Sequence, residues 1–202
     1  MKAWLAIAAC AWSSACTFGG GGKVPETRYY QLAAPTEARH AGATVVVLEP
    51  LSTDGAYDDE RIVYRASPYR LDYYQYHRWS APPGAMMSDV LAQGLAHSGR
   101  FRAIERELTD GASVVVGGRV IALEEIDESK TRWIGHVALE LVARDPRTGA
   151  ALWTDRFDER EPLRAQSPEG LAEALSHAMS RIVDRAAPAI ENAAAARPPS
   201  RD

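Results

Sequence analysis

The sequence predicts an α/β fold: one domain holding a mixed, mostly antiparallel sheet and two main amphipathic helices. Three observations carry that prediction. Continuous apolar β-formers at Val45-Val46-Val47-Leu48 and Val114-Val115-Val116 suit strands buried on both faces of a sheet. From Thr131 to Arg144 the chain alternates instead: Trp133, Val137, Leu139 and Leu141 fall on one face, and Arg132, His136, Glu140 and Arg144 on the other. Twice the apolar period becomes helical, at Met86, Met87, Val90, Leu91 and Leu95, and at Leu171, Leu175, Met179, Ile182 and Val183. With 202 residues, 46% of them apolar, the chain suits one domain with a sizeable core.

At the amino terminus, Lys2 supplies a positive charge and Ala3 to Trp12 form an unbroken apolar run. Such a run suits a signal peptide and is shorter than the ~20 residues of a membrane-spanning helix. Ser13-Ser14-Ala15 then sets small residues before Cys16, similar to the cleavage box of bacterial lipoproteins, where the thiol is diacylated and becomes the new amino terminus. Ser13 stands where such boxes usually have leucine. Ile7-Ala8-Ala9-Cys10 fits the box more closely but leaves about six apolar residues against the ~7–15 expected. Cys16 is therefore the expected lipidated residue, with Cys10, ordinary secretion or a buried cysteine as alternatives. Cleavage before Cys16 leaves one cysteine, so no intramolecular disulfide can form. Thr17 in place of aspartate favours, by resemblance to lipoprotein sorting signals, the outer membrane. These readings divide the chain into a signal peptide over 1–15, a lipidated tether over 16–28, a domain over 29–188 and a disordered tail over 189–202. The glycine-rich tether reaches at most roughly 40 Å.

Within the domain, Tyr29 to Leu32 reads as a first short strand and Thr44 to Leu48 as a second. Asp58-Asp59-Glu60 reads as a solvated loop, because the spaced ligands and glycine of an EF-hand are missing. Arg61 to Trp79 packs five tyrosines, Trp79 and four arginines into a short window. Its grammar is two strands around the Ser67-Pro68 turn. Proline then opens a helix at about Gly84, which runs to about Ser98 with Gly99 as its C′ residue. Phe101 to Ile104 begins another strand. Ser113 to Glu125 is a long central strand in which Gly117-Gly118 marks a bulge or a close backbone approach. Asp145-Pro146-Arg147-Thr148-Gly149 is a hairpin loop leading to a partner strand over Leu152 to Phe157. Ser167 caps the last helix, Pro168 takes its first position, and Pro188 ends or kinks it.

Several function classes are excluded. A net charge of −4 supplies no basic stripe for phosphate, which disfavours nucleic-acid binding. The histidines His40, His77, His97, His136 and His177 are scattered without metal-ligand spacing, and His136 reads as an exposed strand residue. There is no GxSxG elbow and no phosphate loop, so no familiar hydrolase or ATPase is indicated. The expectation is a non-enzyme with no cofactor and no metal.

Ile62-Val63-Tyr64-Arg65, then Leu71 to Trp79 followed by proline and a helix, resembles the ABC-type transport auxiliary lipoproteins. That family includes the lipoprotein of the paraquat-inducible MCE transport system. Tyr29-Tyr30-Gln31-Leu32 and the Asp145–Gly149 loop extend the resemblance over most of the mature chain. It implies a fold like the amino-terminal domain of TolB, an outer-membrane lipid anchor, and an MCE-domain periplasmic protein as partner. It gives no residue-level binding site. From residue type alone, Tyr69, Arg70, Tyr74 and Arg78, with Arg65, are the candidate docking residues, since tyrosine and arginine dominate interface hot spots. Packing between sheet and helix is the competing role for the aromatics, among them Tyr64, Tyr73, Tyr76 and Trp79. A homo-oligomer is also possible on this reading. An apolar-ligand carrier and an envelope structural or assembly lipoprotein are the alternative functions.

Overall fold

The computed structural model describes residues 25–196, so the expected leader, Cys10, Cys16 and the end of the tail lie outside the described residues. In chain order the elements are β1 (Arg28–Tyr30), β2 (Thr44–Leu48), β3 (Ser52–Thr53), β4 (Arg61–Ser67), β5 (Arg70–Trp79), α1 (Pro83–His97), β6 (Phe101–Glu105), β7 (Val114–Ser129), β8 (Arg132–Arg144), β9 (Ala151–Pro162) and α2 (Pro168–Ala195).

The long strand β7 organises the sheet because its two edges take different partners. β8 pairs antiparallel along one edge, from Ser129↔Arg132 to Val115↔Arg144, and β9 pairs antiparallel with β8. The other edge is shared by three parallel segments in succession. β2 lies beside Val114–Val116, β3 beside Arg119–Val120, and β4 beside Glu124–Ile126. β6 extends the sheet from β2, and β5 then β1 extend it from β4. The sheet is mixed as expected, its long ladders antiparallel and its parallel pairings short. Gly118 explains how β8 comes so close: a Cβ there would lie 2.0 Å from the Glu140 carbonyl oxygen.

Both helices cover one face of this sheet, α2 against β7, β8 and β9, and α1 against β6, β7 and β3. The expected stripes are buried there, with Leu91, Leu95, Leu171, Leu175, Met179 and Ile182 packed on Leu48, Ile62, Leu139, Leu141 and Phe157. At the helix crossing Gly94 meets Val183, whose Cγ2 would lie 2.7 Å from a Cβ at that position. Gly99 takes φ +74° after α1, and Ser167 Oγ accepts from Gly170 N–H at 3.1 Å at the start of α2.

Pro188 neither ends the last helix nor begins the tail. α2 runs through it to Ala195, and residues 189–195 are helical. Proline removes one helical hydrogen bond, but Ile190 and Ala193 beyond it are buried in the main core, and that burial holds the last turns.

The opposite face of the sheet carries a small apolar cluster, Tyr57, Val63, Ala122 and Ala138, under a 3-10 turn at Gly55–Tyr57. Next to it the face turns polar. His136, expected to be exposed, is buried there, because Glu124 and Asp158 close over its two ring nitrogens.

Candidate docking surface

The turn between β4 and β5 places Tyr69 at the hairpin tip, 97% exposed. Beside it Arg70 Nε donates to Asp72 Oδ2 at 2.6 Å. Farther along, the hairpin departs from regular pairing. Between Arg61↔Arg78 and Val63↔Tyr73, β4 advances two residues while β5 advances five, so β5 bulges over 74–77. The bulge changes which face each residue reaches. Leu71 and Tyr73 pack under the 3-10 turn on the open face, whereas Tyr74 and Trp79 pack on the main core. Tyr74 is half-buried, and its hydroxyl donates to Glu125 Oε1 at 2.9 Å. Arg78 lies at the base, 3.9 Å from Asp59, which Arg61 holds at 2.8 Å. The structure thus brings Tyr69 and Arg70 together and separates them from Arg78 by on the order of 20 Å of strand.

The hairpin is fastened to β7 on both faces of the sheet. On the open face, buried Glu124 accepts from Tyr57 Oη at 2.8 Å and from Arg65 Nε at 3.2 Å, with His136 Nδ1 at 3.1 Å. His136 Nε2 faces Asp158 at 3.1 Å, an arrangement in which only the doubly protonated ring donates at both ends. Burial acts to raise the Glu124 pKa, but the hydrogen bonds from His136, Arg65 and Tyr57 outweigh it, and its carboxyl is held below the usual range. Arg65 Nη1 also donates to the Pro68 carbonyl at 3.0 Å, which ties the tip to this cluster. Between Ala66–Pro68, Ile126–Glu128, His136 and Arg160 runs a groove of about 560 Å³.

On the helix-covered face, Tyr64, Tyr74, His77 and Tyr30 form a row of rings with centroids 5.2, 5.5 and 5.6 Å apart. At its edge Glu125 is fully buried, and burial pushes its carboxyl up to about 8. Residue type and spacing missed Glu124, Glu125, Asp127 and His136. The available signal was four carboxylates, Glu124, Glu125, Asp127 and Glu128, clustered at the end of a mostly apolar strand.

Among the described residues no group of three or more His, Cys, Asp or Glu could hold a metal ion, and no helix is long and apolar enough to cross a membrane. Between α1 and α2 the space beside Val90, Gly94, Met179 and Val183 amounts to about 70 Å³.

A family model described as ABC-type transport auxiliary lipoprotein component matches residues 30–187, from the end of β1 to the last third of α2. The chain belongs to this family. It is a lipoprotein component that assists an ABC-type transport system. A crystal structure of a Xanthomonas campestris protein is similar at 16% identity and a TM-score of 0.70, covering 82% of this chain and 96% of that one. A hypothetical protein from Chlamydia trachomatis is similar at 11% identity and a TM-score of 0.52, covering 76% and 99%. These likenesses show the auxiliary component's fold. No curated protein matches the chain.

Proposed function

We propose that this auxiliary lipoprotein is a non-enzymatic subunit, anchored through Cys16 to the periplasmic face of the outer membrane. There it docks the MCE-domain periplasmic protein of an ABC system that moves lipids or other apolar molecules between membranes. Family membership supports the auxiliary role. The observation that carries the docking reading is the hairpin tip, where Tyr69 stands 97% exposed beside Arg70 on a strand pair fixed to β7 on both faces. A rigid base lowers the ordering cost of binding, and tyrosine and arginine are the side chains that carry most interface energy. In this reading Tyr69 and Arg70 touch the partner, while Tyr74 and Arg78 hold the hairpin in place.

A carrier of apolar ligands would need a cavity of roughly 300 Å³ or more. The space between the helices is only about 70 Å³. The larger hollows, about 640 Å³ beside Tyr29, Pro35 and His177 and about 560 Å³ beside Ser67 and His136, are grooves open at the surface, which favours a docking subunit over a carrier that encloses its ligand. Capture of the native lipoprotein from cross-linked membranes, followed by mass spectrometry, tests the partner. The expected result is an MCE-domain protein in the captured complex, lost when Tyr69→Ala and Arg70→Ala are combined. Capture of envelope assembly proteins with no transporter component would contradict it.

A further inference from the structure

Glu125 and Asp127 lie two residues apart on β7, and the ladder to β8 is regular between them, so both side chains project to the helix-covered face. Glu125 pairs in register with Gly135, and the space over Gly135 is closed by Ala174 and Leu175 of α2, which offer no polar atom. From β5, Tyr74 donates to Glu125 Oε1 at 2.9 Å, with Tyr64 of β4 and His77 of β5 packed edge-on against its ring. Two oxygens are left over. Glu125 Oε2 and Asp127 Oδ1 are both buried and have no hydrogen-bond partner. Among the described residues neither carboxyl is in an ion pair.

Two bare carboxylates cannot satisfy each other, because each oxygen only accepts. A single hydrogen on Glu125 Oε2 changes that, donating to Asp127 Oδ1 and removing one of two like charges from a buried site. We propose that Glu125 and Asp127 form a proton-binding site holding one shared proton, and that the site fastens β5 to β7 through Tyr74. With the proton in place, Glu125 Oε1 is free to accept from Tyr74 and the second oxygen is satisfied. Once the proton leaves, two adjacent buried carboxylates repel, and the hairpin's attachment on this face weakens.

The test is an infrared spectrum of the full chain in detergent at neutral pH, together with thermal unfolding from pH 6 to 9. The expected spectrum contains a protonated-carboxyl band that Glu125→Gln removes. Absence of that band from the folded wild type would overturn the proposal. Wild type should lose midpoint as pH rises, and Glu125→Gln, which keeps a donor without titrating, should lose less. Equal slopes would overturn the proposal. So would a gain in wild-type midpoint with added sodium or calcium that Glu125→Gln lacks, since it would make the pair a cation site. Neither measurement involves a transport partner, so the outcome is independent of the docking reading.

Discussion

Arg65 Nη2 lies 3.1 Å from Glu124 Oε2 while its Nη1 donates to the Pro68 carbonyl at 3.0 Å, so one side chain joins the hairpin tip to the central strand. Removing it leaves Glu124 buried with two of its three partners. Breaking a fully buried pair costs about 3–5 kcal/mol, and Arg65 is partly exposed with Tyr57 and His136 remaining, so Arg65→Ala should cost about 1–3 kcal/mol. Urea unfolding checks this.

The adjacent glutamates give opposite pH dependences. The folded Glu124 carboxyl is held low, so its contribution is present above the usual glutamate pKa and is lost as pH falls through the folded value. Glu125 is pushed up to about 8, so between the usual pKa of about 4.3 and that value the native state keeps a proton the unfolded chain releases. Stability therefore falls with rising pH across that window and levels off above it. Thermal midpoints should decline on both sides of a mildly acidic maximum, with Glu124→Gln flattening the acid limb.

The elements themselves were legible because periodicity and turn chemistry are local. Ser167 with Pro168, Gly99, and Asp145 to Gly149 each mark a boundary through its own backbone geometry. Across β5 that legibility stopped. Alternation assumes regular pairing, and the bulge over 74–77 turns Tyr74 toward the core and isolates Arg78, a pairing detail no single strand encodes. His136 failed differently, since its strand face was read correctly but the side chains that cover it come from β7 and β9. Pro188 was read by local rule as ending or kinking the helix, and with Ile190 buried beyond it α2 does not end there.

Packing changes should separate by mechanism. Leu175 is fully buried between α2 and the sheet, so Leu175→Ala should cost about 2–5 kcal/mol. An effect below about half a kilocalorie would place α2 at the periphery of stability. Gly118→Ala should cost about 1–3 kcal/mol or more, because its Cβ meets backbone that cannot move without breaking the β7–β8 ladder. Denaturant midpoints distinguish both from wild type.

In the proposed anchoring Cys16 carries the lipid, and two or three acyl chains at ~0.8 kcal/mol per buried methylene would hold far more firmly than one. Cys16→Ala should move the protein from the membrane to the soluble fraction. Retention of Cys16→Ala together with release of Cys10→Ala would assign the anchor to Cys10.

The most direct measurement is the affinity of the purified lipoprotein for the proposed MCE-domain partner, taken with the thermal midpoint of each variant. Tyr69→Ala and Arg70→Ala should each weaken binding by about 2 kcal/mol, roughly thirtyfold, with midpoints unchanged, because neither side chain is buried in the fold. Arg78→Ala should leave binding within a few fold of wild type. Wild-type affinity in folded Tyr69→Ala and Arg70→Ala variants would contradict docking through the hairpin tip.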